Sequence, residues 1–258
     1  MHYFEFDGSF EGLLCAVFQC FEKKQFQSSL IRKGQGHHTL FDRIEEILLQ
    51  KVQAKRVWQQ LIHLIGKAQA LQFYRVILAE DPLADEAAYT LMVRLFKSQK
   101  NALSNYGDKH ALYFAQTLKK INRERHRMTA FVRFQKSLDG LYVAQIAPDF
   151  NVLPLIKEFF KKRYADQPWL IYDTKRAYGI WYDLQQVLPI SLAQNANIKS
   201  QELALPAAYD DQEMKYQKLW QDYYQSTNIQ ERFNPKLFIK HVPKRYWSQM
   251  TELSFNPA

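Results

Sequence analysis

The spacing of apolar residues changes once along this chain, near residue 125, and that change limits the folds open to it. Up to that point apolar side chains recur every three or four positions, the repeat of helices that bury one face. The segment FDGSFEGLLCAVFQCFEKK opens on Asp7-Gly8-Ser9, a turn followed by an N-cap residue, and continues with Phe10, Leu13, Leu14, Val17, Phe18 and Phe21 at helical spacing. After the polar stretch SSLIRKGQGHHT, the run from Leu40 to about Leu64 predicts another helix, continuous or broken. Ala68–Leu78 and Ala84–Phe96 follow, separated by Glu80-Asp81-Pro82, where proline suits a first helical turn. A last helix is expected from about Asp108 to Glu124, so residues 1–125 read as a bundle of four to six helices.

Beyond the change, Met128, Ala130, Val132 and Phe134 alternate with Thr129, Phe131, Arg133 and Gln135, the period of a strand. Asp139-Gly140 then forms a hairpin turn before LYVAQIA. Asp149 is expected to cap a helix from about Val152 to Tyr164, with Leu155, Ile156, Phe159 and Phe160 inward, and PWLIYDTKRAYGIWYDL reads as a second hairpin with Lys175 and Arg176 near its tip. Pro189 to Ala208 lacks a period and reads as a connection, and Gln212 to Tyr224 is helical again. The expected fold is α+β: an N-terminal helical bundle (1–125) packed on a ββαββ antiparallel-sheet module (about 127–184) within 126–258, with C-terminal helices.

Cys15 and Cys20 are the only cysteines, and five residues apart on a helix they point in different directions; two reduced, packed thiols are expected, with no metal and no cofactor. The N-terminus has acids where a signal peptide carries bases, and no apolar run is long enough to cross a bilayer, so a cytoplasmic protein is expected. The common signatures of nucleotide hydrolases, zinc deaminases and α/β-hydrolases are missing.

The charge is uneven. With 35 Lys and Arg against 26 Asp and Glu the chain carries +9, which favours an anionic partner. Three basic clusters hold the excess. Lys119, Lys120, Arg123, Arg125, Arg127, Arg133 and Lys136 surround His126, with Glu124 the only acid among them. Guanidinium forks suit phosphate oxygens, yet Arg125 and Arg127 equally suit acids of the N-terminal helices. The second cluster is Lys175-Arg176 beside Tyr172, Asp173, Tyr178 and Trp181, and the third is HVPKRYW, with Lys244 and Arg245 following Pro243. Tyr172, Tyr178 or Trp181 would stack on a base, or cover a core under a solvated turn. Asp173 and His126 are the candidates for acid–base chemistry.

The stretches FDGSFEGLLCAVF, ERHRMTAFVRF, DQPWLIYDTKRAYGIWYD and VPKRYW resemble the bacterial family described as DNA repair or DNA metabolism proteins linked to a radical S-adenosylmethionine (radical SAM) protein. The likeness covers nearly the whole chain. It implies a role in DNA metabolism with a radical SAM protein as partner, and implies no particular reaction. Some members continue into a uracil-DNA-glycosylase-like domain; too few residues follow VPKRYW for one here, so autonomous glycosylase activity is not expected. The leading expectation is a DNA-binding accessory or repair protein, with phosphates contacted by Arg125, Arg127, Arg133, Lys175, Arg176, Lys244 and Arg245. The alternatives are a base-processing enzyme using Asp173 or His126, and a protein-interaction scaffold that binds no DNA.

Overall fold

The computed structural model describes residues 2–35, 42–99, 101–191, 209–227 and 234–253. By its internal contacts the chain divides into two compact units, Met1–Arg123 and Glu124–Ala258. The class is α+β, and among the described residues no helix is long and apolar enough to cross a membrane.

In the first unit, helices α1 (Phe10–Glu22), α3 (Lys67–Ile77) and α4 (Pro82–Phe96) stand close to their expected places, whereas α2 (Lys51–Ile65) takes up only the later part of the run expected from Leu40. Ser9 caps α1 by accepting from the Gly12 amide at 2.9 Å, and Pro82 opens α4 behind the Asp81 cap. The unit is not a pure bundle. Strands β1 (His2–Phe6), β2 (Ser29–Arg32) and β3 (Arg43–Glu46) form a parallel sheet in the order β2-β1-β3. Three strands of four or five residues are too short to show a period against their neighbours, and β3 lies in the stretch expected to start a helix. Phe4 and Phe6 point into the core while their neighbours on β1 stay partly exposed.

One ion pair fastens this sheet to the helices. The Arg32 guanidinium forks onto Asp85 of α4 at 2.9 and 3.0 Å, and Asp85 is fully buried. Burial pushes the Asp85 carboxyl up to about 6, against the pull of Arg32. The folded form thus holds this proton more tightly than the unfolded chain, and stability from this group, full below pH 3.8, is lost as pH rises through about 6. Both cysteines are buried free thiols.

The strand expected over Met128–Gln135 is helix over its first half, since α5 runs from Lys109 to Phe131, and only Gln135 of it is strand. The alternation there is real, but a helical stripe overrides it. Thr117, Ile121, Glu124 and Met128 are each almost fully buried, spaced four, three and four residues apart. The arginine run therefore lies on a helix, not at a helix–strand junction.

The second unit is built on a five-stranded sheet in the order β4-β5-β6-β7-β8, from β4 (Gln135–Lys136), β5 (Tyr142–Ile146), β6 (Trp169–Asp173), β7 (Tyr178–Tyr182) and β8 (Val187–Ser191). The turn at Asp139-Gly140 joins β4 to β5, with Gly140 in the left-handed region at φ +84°. The sheet is mixed, because α6 (Leu153–Arg163) crosses between β5 and β6 and makes them parallel; the other pairs are antiparallel. Ile156 and Phe160 of α6 pack with Trp169, Ile171, Ile180 and Tyr182 of the sheet, whereas Phe159 is exposed. Val152, not Asp149, is the residue before the first turn of α6, and no side chain caps it. Part of the expected connection is strand, since β8 extends to Ser191; its remainder, 192–208, lies outside the described residues. Helices α7 (Asp211–Thr227) and α8 (Pro235–His241) and a 3-10 helix (Lys244–Gln249) complete the unit.

Arg32→Met leaves Asp85 buried and unpaired, and is expected to lower the stability of the chain by about 3–5 kcal/mol in urea denaturation. A change below about 1 kcal/mol would show the pair to be incidental.

Candidate nucleic-acid interface

Glu124 sits on the buried stripe of α5, where an apolar residue would be expected, and only 2% of its side chain is exposed. A carboxylate so placed needs donors. It has three: the Asp149 amide at 3.0 Å, the Arg245 guanidinium at 3.0 Å, and the Tyr246 hydroxyl. Burial and the bond to Glu124 push the Tyr246 hydroxyl's pKa well above its ordinary value, so Tyr246 remains a donor. Arg245 also meets the Asp149 carboxylate at 2.9 Å, and its guanidinium lies 4.6 Å from the Tyr246 ring centre.

The second basic cluster reaches the same loop. Arg176 donates to the Pro148 carbonyl at 3.1 Å and the Asp149 carbonyl at 3.0 Å. It also pairs with Asp173 at 2.9 Å. Asp173 is fully buried at the end of β6, and its other oxygen accepts from the Lys175 and Arg176 amides at 2.9 and 3.2 Å. With both oxygens engaged in shaping the hairpin tip, Asp173 has the environment of a turn-forming carboxylate, not of an open acid or base. Ala177 completes that tip with φ +54°. His126 is exposed on α5.

The Pro148–Asp149 loop thus gathers Glu124, Arg176 and Arg245, and with them their chain neighbours Arg125, Lys175 and Lys244. Arg127 reaches in another direction, donating to the Lys240 carbonyl at the end of α8 at 3.1 Å. Arg133 is farther along the chain and clasps Glu252, with contacts at 2.5 and 3.2 Å. Four of the seven expected phosphate ligands are therefore occupied inside the unit. Arg125 is half-buried and Lys175 and Lys244 are exposed; none of the three meets a carboxylate among the described residues. The Lys244 ammonium lies 5.5 Å from the Trp247 ring centre.

The expected stacking residues are differently placed. Tyr172 is buried in β6, Trp181 packs beside Val143, Leu170 and Ile190, and the Tyr178 hydroxyl bonds the Asn151 side chain. None presents a free ring face at the hairpin tip.

A second feature escaped the sequence reading. A cavity of about 670 Å³ lies between the β4 segment and α7, with Phe134, Tyr164, Trp169, Tyr216 and Trp220 among its walls. The sequence signal was present in α7, where Tyr216, Trp220 and Tyr223 recur at helical spacing; their partner surface, from residues some fifty to ninety positions earlier, was not.

The sequence profile of a domain of unknown function, DUF4130, matches residues 82–252, and the chain belongs to that family. The match takes in the whole of the second unit's described structure except Leu253. No curated protein matches the chain.

The Arg133–Glu252 clasp has a pH dependence of known sign. Burial disfavours the Glu252 carboxylate, but the Arg133 bonds outweigh it and hold the group below its ordinary 4.5. Its stabilisation is full above pH 4.5 and is lost as pH falls through the lower folded-state value. Amide exchange over residues 244–253 should therefore stay slow at neutral pH and, after correction for intrinsic rates, quicken at acid pH; in Glu252→Gln it should already be fast at neutral pH. Equal protection in the two proteins at neutral pH would contradict this.

Proposed function

We propose that this chain is a DNA-binding accessory or repair protein acting in DNA metabolism, and that its second unit makes the nucleic-acid contact. One observation carries the reading. Around the Pro148–Asp149 loop, Arg125, Lys175, Arg176, Lys244 and Arg245 outnumber Glu124, Asp149 and Asp173 by two charges. Two of these acids are buried and bonded inward, so they do not compete for a ligand at the surface. The cations without carboxylate partners, Arg125, Lys175 and Lys244, sit beside residues fixed by the ion-pair network, which limits their backbone freedom and suits them to positioning contacts on a phosphate backbone. The overall +9 adds long-range attraction for the same partner.

The family resemblance supplies a second part of the proposal, a radical SAM protein as working partner. The base-processing alternative loses support at Asp173, whose oxygens are all committed to the hairpin tip.

Fluorescence anisotropy with labelled single- and double-stranded DNA over a salt series tests the reading. The wild type should bind with a steep salt dependence, and the triple variant Arg125→Glu, Lys175→Glu, Lys244→Glu should lose most of that affinity while its unfolding temperature stays put. Single neutral substitutions at these positions should each reduce the slope of log affinity against log salt by about 1. Undiminished binding by the triple variant would overturn the assignment of this face, and no binding by the wild type at low salt would favour the scaffold reading.

A further inference from the structure

The cavity beside α7 has a chemistry that the phosphate face lacks. Its cations are already neutralised: Arg133 by Glu252 at 2.5 Å, and Lys136 by Asp210 at 3.3 Å. An anion would have to displace one of these carboxylates. The cavity's surface is mainly aromatic instead. Phe134, Tyr164 and Trp169 form a contiguous wall, with ring centres 5.3 Å apart for Phe134–Tyr164 and 6.3 Å for Phe134–Trp169. On the α7 side Trp220 is 42% exposed and Tyr216 61% exposed, unusually open for rings of this size.

Two polar side chains of the walls have no protein hydrogen-bond partner among the described residues, and of the two only Gln167, which is partly exposed, is open to a ligand. The Trp169 indole N–H is buried without an acceptor among the described residues, although Trp169 is fully removed from solvent. The Gln167 side-chain amide, two residues earlier, likewise has no protein partner among them. Together the accessible walls offer flat apolar faces and one amide that both donates and accepts.

The α7 wall is fastened in place. Glu213 accepts from the Lys136 amide at 3.1 Å, and Gln221 donates to the Thr251 carbonyl at 2.9 Å. Lys215 and Lys218 are exposed on the same helix. An aromatic recess held open by backbone bonds, with cations outside it and none unpaired within it, separates recognition of a neutral ring from attraction of the chain that carries it.

We propose that this cavity receives an unstacked base of a nucleic-acid strand, sandwiched against Trp220 and read by the Gln167 amide. The inference rests on the nucleic-acid reading above. A base meets each requirement: it is flat, neutral, and carries adjacent donor and acceptor edges. The volume is within the range of ligand pockets and leaves room for the attached sugar.

The test uses the full chain and a short single strand containing one 2-aminopurine, compared with a strand carrying an abasic site at that position. Seating the base should change 2-aminopurine emission on binding, and the abasic strand should bind about tenfold more weakly, as the loss of one stacked base predicts. Trp220→Ala should abolish the emission change and weaken the base-containing strand by a similar factor, with the salt dependence unaltered; Gln167→Leu, a second variant away from the ring stack, should weaken it less. Retained salt-dependent binding with equal affinity for both strands and for both variants overturns the base-reading cavity alone. Failure of either strand to bind at low salt overturns this inference and the nucleic-acid reading together.

Discussion

Burying the Glu124 carboxylate is the constraint on which the second unit is arranged. A charge almost removed from water is tolerable only when its lone pairs are met, and meeting them brings three distant parts of the chain together. The donors come from the loop after β5 and from the 3-10 helix near the C-terminus, more than a hundred residues beyond Glu124 itself. Removing either Arg245 or Tyr246 would not merely delete a contact; it would leave a buried group partly unmet, which generally costs more than the bond was worth.

The same arrangement divides the arginines by task. Arg176, Arg245, Arg133 and Arg127 spend their forks on carboxylates and carbonyls of the unit itself, where planar multidentate donors fit best. Lys175 and Lys244 are immediate chain neighbours of Arg176 and Arg245, Arg125 follows Glu124, and all three are carried into position by the network. Dense positive charge in the sequence is thus partly structural and partly available, and the division follows geometry, not residue type. The aromatic residues divide in the same way: those of the hairpin pack inward, and Tyr216 and Trp220 of α7 face an open cavity.

Much of the fold was legible in the sequence. Helices with a clean three-to-four repeat and a capping signal, such as α1 after Ser9 and α4 after Asp81, stand where their spacing placed them, and both hairpins follow from their turn residues. Two kinds of element were not legible. Short strands in a parallel sheet, β1 to β3, carry too few residues to reveal a period. The segment after Glu124 carries two periods at once, and the choice between them depends on what buries Met128 and Glu124, which is tertiary information. For the same reason the sequence located the basic clusters but could not say which cations were already paired, because the paired acids Glu124, Asp149 and Glu252 lie far from their arginines in the chain. Asp173 next to Lys175 and Arg176 was visible, but its role as the acceptor that shapes the turn was not.

Lysine acetylation footprinting by mass spectrometry, with and without bound single-stranded DNA, tests the central claim most directly, because it reads individual side chains on the intact protein. The account predicts that Lys175 and Lys244, reactive in the free protein, become protected together when the strand binds. A bound strand that leaves both as reactive as before would contradict it.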